Sequence, residues 1–300
     1  MSNRQRQQTQ VRGDTWRSEI KEVIGGASGG FLFGIPLIYT TEVWFIGSYV
    51  RPAILLAILA ITFVIVLSIN RIEGFRPQES ETVAGAIAET IETLAIGITC
   101  ATLMLIILQR IDLQTSLTEA LGKIVFEGVP FSLGVAFSRS LLCGEPQANS
   151  DDRGRNTSSS SSQKNYQIWQ DTAADFSATV IGALFIAFSI APTDEVKILA
   201  ASASAFWLLL ITIASLLISY GIVFTSGITN YQHRLKQSGL FQTPQSETIM
   251  SYLVSLLIGM LMLWFFQKLT WSDPWFIWLR YSIILGLPAS IGGAAGRLAV

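Results

Sequence analysis

The sequence predicts an all-α membrane protein with about eight transmembrane helices, arranged as two parallel four-helix repeats. Three observations support this fold class. Half of the 300 residues are hydrophobic and only 14% are charged, whereas a soluble domain carries about 25% charged residues. Apolar stretches of membrane-spanning length recur along the chain. Matching motifs occur in the same order in both halves, which indicates an internal duplication.

Eight apolar segments are each long enough to cross about 30 Å of hydrocarbon. The predicted helices are 23–46, 52–70, 83–108, 119–142, 173–191, 198–224, 248–267 and 275–297. Pro52 and Pro274 lie at helix starts, where the missing N–H group costs little. Pro36, Pro130 and Pro288 lie inside predicted spans, where neighbouring helices must satisfy the freed backbone groups.

Basic residues predict the orientation in the membrane. With eight spans, both termini lie on one side, and that side carries most of the lysines and arginines. The opposite side carries only Arg51, Arg110, Lys123, Lys197, Lys268 and Arg280. Because cytoplasmic loops hold the excess of basic residues, both termini are predicted to be cytoplasmic.

Composition divides the chain into four predicted regions. Residues 1–22 form a polar, basic cytoplasmic tail that lacks the short apolar core of a signal peptide. Residues 23–142 form the first four-helix repeat and residues 171–300 the second. Residues 143–170 contain a serine run and few apolar side chains, which predicts a disordered cytoplasmic linker.

Three ungapped matches support the duplication. They align Trp16–Val43 with Trp169–Val196, "SETV" (80–83) with "SETI" (246–249), and "GVPFSLGVAFSR" (128–139) with "GLPASIGGAAGR" (286–297). The second match places Ser255 opposite Glu89. Because each half has an even number of spans, both halves keep the same orientation, which predicts parallel repeats.

Three carboxylates are predicted to lie inside the membrane. Glu89 and Glu92 are three residues apart and share one helix face, and Glu127 lies on the next helix. Counted from the ends of their helices, Glu92 lies about 14 Å deep and Glu127 about 12 Å deep. The two are therefore expected at a similar depth. A carboxylate at mid-bilayer costs roughly 2.5–3.5 kcal/mol, so it needs a partner, water or a proton.

Two roles fit these acids. Glu89, Glu92 and Glu127 could form a proton or ion site, since carboxylate oxygens bind hard cations and relay protons. They could instead belong to a structural network, with Lys123 or Arg280 as the charge partner. Four further acids lie near the membrane faces and form a secondary set. They are Glu22, Glu42, Asp175 and Glu195.

The leading functional hypothesis is a transporter or channel for small cations or protons. One alternative is a non-transporting structural or regulatory membrane protein, and another is an intramembrane enzyme or lipid-handling protein. The sequence contains no GxSxG, HExxH, CxxC or Walker motif, so no enzyme class and no cofactor is indicated. The net charge of −1 gives no indication of nucleic-acid binding. The predicted partner is the lipid bilayer, and the sequence is compatible with a homo-oligomer.

The segments "GGASGGFLFGIPLIYTTEVW", "AETIETLAIG" and "FEGVPFSLG" resemble a family of bacterial polytopic integral membrane proteins without an assigned function. The resemblance extends over nearly the whole chain, apart from the tail and the linker. It implies a multi-pass protein of the bacterial plasma (inner) membrane. It supplies no substrate and no site residues.

Overall fold

The computed structural model describes residues 3–72, 83–143, 161–226 and 244–298, which form helices and short connections without any strand. This part of the chain contains ten helices. They are α1 (Asn3–Ile38), α2 (Thr41–Tyr49), α3 (Pro52–Ile72), α4 (Val83–Ile107), α5 (Leu117–Cys143), α6 (Ser161–Ile190), α7 (Glu195–Ser202), α8 (Ala205–Ser226), α9 (Pro244–Phe265) and α10 (Trp275–Leu298). The all-α fold class is confirmed.

Six of these helices, α3, α4, α5, α8, α9 and α10, are long and apolar enough to cross a membrane individually. Two further pairs reach that length only together. They are α1 with α2, bent by 90°, and α6 with α7, bent by 89°. The described part of the chain therefore has six to eight candidate spans, which agrees with the predicted multi-pass membrane protein.

Two predicted helices are interrupted in the structure. The predicted helix 23–46 is interrupted after Ile38, and the predicted helix 198–224 is interrupted at Ala203 and Ser204. Hydropathy measures the length of an apolar stretch and does not distinguish one straight helix from two that meet at a right angle. At the end of α6, Pro192 contributes to the bend because it lacks an N–H group and disfavours a helical Ala191.

The predicted linker also needs a correction. Residues 144–160 lie outside the described part of the chain, but α6 begins at Ser161, so residues 161–170 are helical. At the other end of this segment, Cys143 is the last residue of α5. The serine-rich composition predicted disorder here, whereas in the structure α6 extends ten residues into the segment.

The chain packs as two compact units. Unit 1 comprises the described residues of Met1–Leu37, Glu42–Met104 and Gln114–Leu142. Its helices approach closely at glycines. A Cβ atom added at Gly29 of α1 would overlap Ser138 of α5, and one added at Gly97 of α4 would overlap Ser132 of α5. Small residues thus allow α5 to contact both helices, as expected where lipid provides no hydrophobic drive for association.

Unit 2 comprises the described residues of Ile38–Thr41, Leu105–Leu113 and Cys143–Val300. Its central element is α10, which packs against α6, α8 and α9 and is buried continuously from Ile284 to Ala294. The tightest approach joins α6 and α10, where Gly182 faces Gly292 and Gly296. A stripe of small residues therefore forms the centre of this unit.

Two turns in unit 2 have the same conformation. Gln109 follows α4 and Gln267 follows α9, and each has a φ angle of 56°. After each, the next amide donates to a carbonyl five residues earlier at 2.8 Å, Arg110 to Leu105 and Lys268 to Leu263. This is the pattern by which a left-handed residue ends a helix, although glycine is the usual residue there.

Candidate functional site

Glu127 is the most buried acid in unit 1. It lies on α5 with 1% of its surface exposed, and its Oε1 atom has no hydrogen-bond partner among the described residues. The next residue, Gly128, faces α4, and a Cβ atom there would lie 3.2 Å from the side chain of Ile98. The site is thus a buried carboxyl group on a membrane-spanning helix, next to the glycine that contacts α4.

The contact between α4 and α5 separates Glu127 from Glu92. Ile98 lies beside Gly128, and it is six residues beyond Glu92 along α4. At 1.5 Å per residue, the two acids are about 10 Å apart along the helix axes. Glu92 and Glu127 therefore do not lie side by side where α4 contacts α5.

Glu89 and Glu92 occupy more accessible positions than Glu127. Glu89 is half-buried and Glu92 is exposed, and both have interaction partners. The fully buried face of α4 beside them carries the hydroxyls of Thr90 and Thr93 instead. Among the described residues, no three acids, histidines or cysteines lie close enough to hold a metal ion. The three predicted site residues are thus not assembled into one metal centre.

The two predicted charge partners have other contacts. The Nζ atom of Lys123 donates to Oε1 of Glu119 at 2.6 Å, one turn earlier on α5. Arg280 donates to the backbone carbonyl of Ala203, at the end of α7. Neither donates to Oε1 of Glu127.

A family model described as "Putative integral membrane protein (DUF2391)" matches residues 22–300. The chain belongs to the DUF2391 family. This membership covers all ten helices except the beginning of α1, and it agrees with the multi-pass architecture. Comparison with curated proteins and with solved structures gave no match. The description of DUF2391 names no activity, so the function of this member is argued from its own residues.

The secondary acids of this DUF2391 protein differ sharply in burial. Glu22, Glu42 and Asp175 are exposed. Glu195 is only 9% exposed, its Oε1 atom accepts a hydrogen bond from Oγ1 of Thr41 at 3.0 Å, and its Oε2 atom has no partner in the described residues. The sequence placed Glu42 and Glu195 at equivalent positions of "TTEV" and "TDEV", and gave no signal that distinguishes them.

Sequence reasoning missed a buried ion pair in unit 2. Arg297, near the end of α10, contacts Oε1 of Glu247 on α9, and only 2% of the Arg297 side chain is exposed. A charge buried this deeply needs such a partner. The sequence contained no signal for this pairing, because the two residues are 50 positions apart and lie on different helices.

Polar side chains also cap α7. Arg110 donates from its NH2 group to Oγ of Ser202 at 2.8 Å, and Arg280 donates to the carbonyl of Ala203. Both cations lie at the C-terminal end of the helix, where the helix dipole favours positive charge. Burial lowers the pKa of Arg110 from its ordinary value. The short helix is thus fixed at the end opposite Glu195.

Proposed function

We propose that this DUF2391 protein moves protons or small cations across the membrane, and that Glu127 is the residue that binds the transported proton. The observation that carries the proposal is a carboxyl group on a membrane-spanning helix with 1% exposure and an Oε1 atom without a partner among the described residues. An ionised carboxylate buried in this way costs several kcal/mol. A bound proton removes that cost.

The surroundings of Glu127 support a proton more than a metal ion. Carboxylate-rich cages bind hard metal ions, and the described residues contain no such group. The same helix, α5, carries the buried hydroxyl of Ser132, whose Oγ atom has no partner in the described chain. A hydroxyl both donates and accepts a hydrogen bond, so it suits proton exchange better than it suits a metal cage.

The alternative is a non-transporting structural or regulatory protein, in which Glu127 would fix the packing of α4 against α5. A structural acid is expected to have a hydrogen-bond partner, because a half-satisfied buried polar group costs stability. The unpartnered Oε1 atom favours the functional role. No described feature favours the third hypothesis, an intramembrane enzyme or lipid-handling protein.

We also propose that the chain consists of two duplicated four-helix repeats in parallel orientation. The matched turns at Gln109 and Gln267, and the bends of 90° and 89° at corresponding places, support this proposal. The turns favour an offset of 158 residues for α4 and α9, since 267 − 109 = 158. In that register Glu89 lies opposite Glu247. The match of "SETV" with "SETI" had instead predicted Ser255 at that position.

The duplication provides a comparison for Glu127. In the match of 128–139 with 286–297, the residue opposite Glu127 is Leu285, which is fully buried. An apolar side chain therefore suits this place in the helix, and the acid of the first half is not required for packing. We place the protein in a bacterial plasma membrane with both termini cytoplasmic, on the basis of the basic residues and of the sequence resemblance.

The test is ion flux into proteoliposomes that contain the full chain. Proton uptake, and uptake of sodium, potassium and calcium, would be measured against empty vesicles for the wild type, Glu127→Gln and Glu127→Leu. Glu92→Gln is the matched control, because it removes an exposed acid from the neighbouring helix. We expect proton flux that both Glu127 variants abolish and that Glu92→Gln retains. Absence of flux for every ion with folded wild-type protein would overturn the proposal in favour of the structural role.

A further inference from the structure

Two helix breaks meet within unit 2. The first lies between α6 and α7, where the chain turns by 89°. The second is the segment Ile38–Thr41, which connects α1 to α2 and packs in this unit. Oγ1 of Thr41 donates to Oε1 of Glu195 at 3.0 Å, and the hydroxyl of Tyr39 donates to the carbonyl of Ile284 at 2.7 Å. The hydroxyl of Thr41 at the first break thus contacts the buried carboxylate of Glu195 at the second break.

Non-helical backbone at membrane depth is tolerated where it is buried in protein or lines a cavity, and interrupted helices often form ion sites. Here α6 ends at Ile190 and directs the negative end of its dipole toward the break. Oγ1 of Thr193 lies in the same break and donates to the carbonyl of Ile190 at 2.7 Å. A hydroxyl that donates its proton in this way keeps lone pairs for a cation.

Glu195 differs from Glu127 in its contacts. Its Oε1 atom accepts a hydrogen bond from Thr41, and it lies in the first turn of α7, where the helix dipole favours negative charge. Both features stabilise an ionised side chain. Its Oε2 atom nevertheless has no partner among the described residues, with the side chain more than nine-tenths buried. A buried, ionised carboxylate with one free oxygen requires a positive counter-charge.

Lys268, which lies near the start of α7, is paired with another acid. Asp194 precedes Glu195, and its Oδ1 atom lies 2.8 Å from Nζ of Lys268. In this pair the Asp194 side chain is exposed, and the two opposite charges neutralise each other. Lys197 is half-buried on the first turns of α7 and also contributes positive charge to this neighbourhood. Glu195 is therefore the acid with an unsatisfied oxygen at this end of α7, in the part of the chain that is described.

We propose that Glu195, together with the hydroxyl oxygens of Thr41 and Thr193, binds a monovalent cation, with sodium as the first choice. One carboxylate and neutral oxygens balance a single positive charge. A divalent ion takes several carboxylates, and the described residues provide no group of three such ligands. This site is separate from Glu127 and stands whether or not Glu127 transports protons.

The experiment measures the thermal stability of the purified full-length protein in detergent as sodium chloride replaces N-methylglucamine chloride at constant ionic strength. A ligand at 100 times its dissociation constant stabilises by about 2.7 kcal/mol. For a protein of this size that corresponds to an increase of about 5–10 °C in Tm. We expect a saturable increase of this order with sodium for the wild type, and none for Glu195→Gln.

Glu42→Gln is the matched control, because Glu42 occupies the same position in "TTEV" but is exposed. Its sodium response should equal that of the wild type. Thr41→Val removes one proposed oxygen ligand and should weaken the sodium response, which keeps the test decisive if Glu195→Gln does not fold. A wild type whose Tm is the same in both salts would overturn the proposal, and so would an undiminished sodium response in Glu195→Gln. Because the readout is binding, failure of the flux experiment on Glu127 leaves this result unaffected.

Discussion

Replacing Gly182 by alanine tests the close contact between α6 and α10. A Cβ atom at Gly182 would lie 2.8 Å from the carbonyl carbon of Gly292 and 3.0 Å from the amide nitrogen of Gly296, and nearer still to the Gly292 oxygen. Optimal contacts between carbon atoms are about 3.5–4.0 Å. Because the obstructing atoms belong to the backbone, no side-chain rotation relieves the overlap, and the two helices must move apart.

The magnitude follows from two opposing effects. Overpacking typically costs about 1–3 kcal/mol, and the higher helix propensity of alanine returns up to about 1 kcal/mol. We expect Gly182→Ala to destabilise unit 2 by about 1–3 kcal/mol, since the backbone contact places it at the upper end of the overpacking range. In a protein of this size, that lowers Tm by about 2–12 °C.

The matched control is Gly259→Ala on α9. A Cβ atom there would lie 3.6 Å from the nearest atom of the Leu285 side chain, which is an ordinary contact. This variant should keep the wild-type Tm or increase it slightly, because only the helix propensity changes. The assay is thermal unfolding in one detergent, followed by circular dichroism. Equal Tm values for Gly182→Ala and wild type, or a larger loss for Gly259→Ala, would refute the packing argument.

Two further predictions concern charged residues. Arg297→Met should lower the free energy of unfolding by about 3–5 kcal/mol, because it leaves Glu247 without its buried partner. The double variant with Glu247→Gln should recover part of that loss. Thermal unfolding of the two single variants and the double variant measures this coupling, and strictly additive losses would contradict the ion pair. The backbone N–H of Thr270, and secondly its hydroxyl, lower the pKa of Asp273 in the folded protein. Asp273 therefore stabilises the fold fully above its unfolded pKa of about 3.9 and loses this contribution as pH decreases through the lower folded value. Between about pH 5 and pH 2, the Tm of the wild type should therefore decrease more than that of Asp273→Asn. If Tm changes with pH in parallel for the two proteins, Asp273 does not make this contribution.

The sequence predicted the features that depend on local composition. The all-α class, the multi-pass arrangement and the starts of α3 at Pro52 and α10 at Trp275 follow from apolar length and from proline position. Each of these features can be read from a window of about 20 residues.

The features that the sequence did not predict depend on contacts between distant segments. Glu42 and Glu195 have nearly identical neighbours in the chain, yet only Glu195 is buried, because Thr41 packs against it within unit 2. The separation of Glu92 from Glu127 is set by the contact of Ile98 with Gly128. Hydropathy describes neither contact, and it also cannot reveal a right-angled bend inside an apolar stretch.

The central claim, that Glu127 binds a proton inside the membrane, can be tested by infrared spectroscopy of the protein reconstituted in lipid at neutral pH. A protonated carboxylic acid has a carbonyl stretching band that a carboxylate lacks. We predict that the wild type shows such a band and that Glu127→Gln loses it, while Glu92→Gln keeps it. A wild-type spectrum without that band, or a band unchanged in Glu127→Gln, would contradict the assignment of Glu127 as the proton-binding residue.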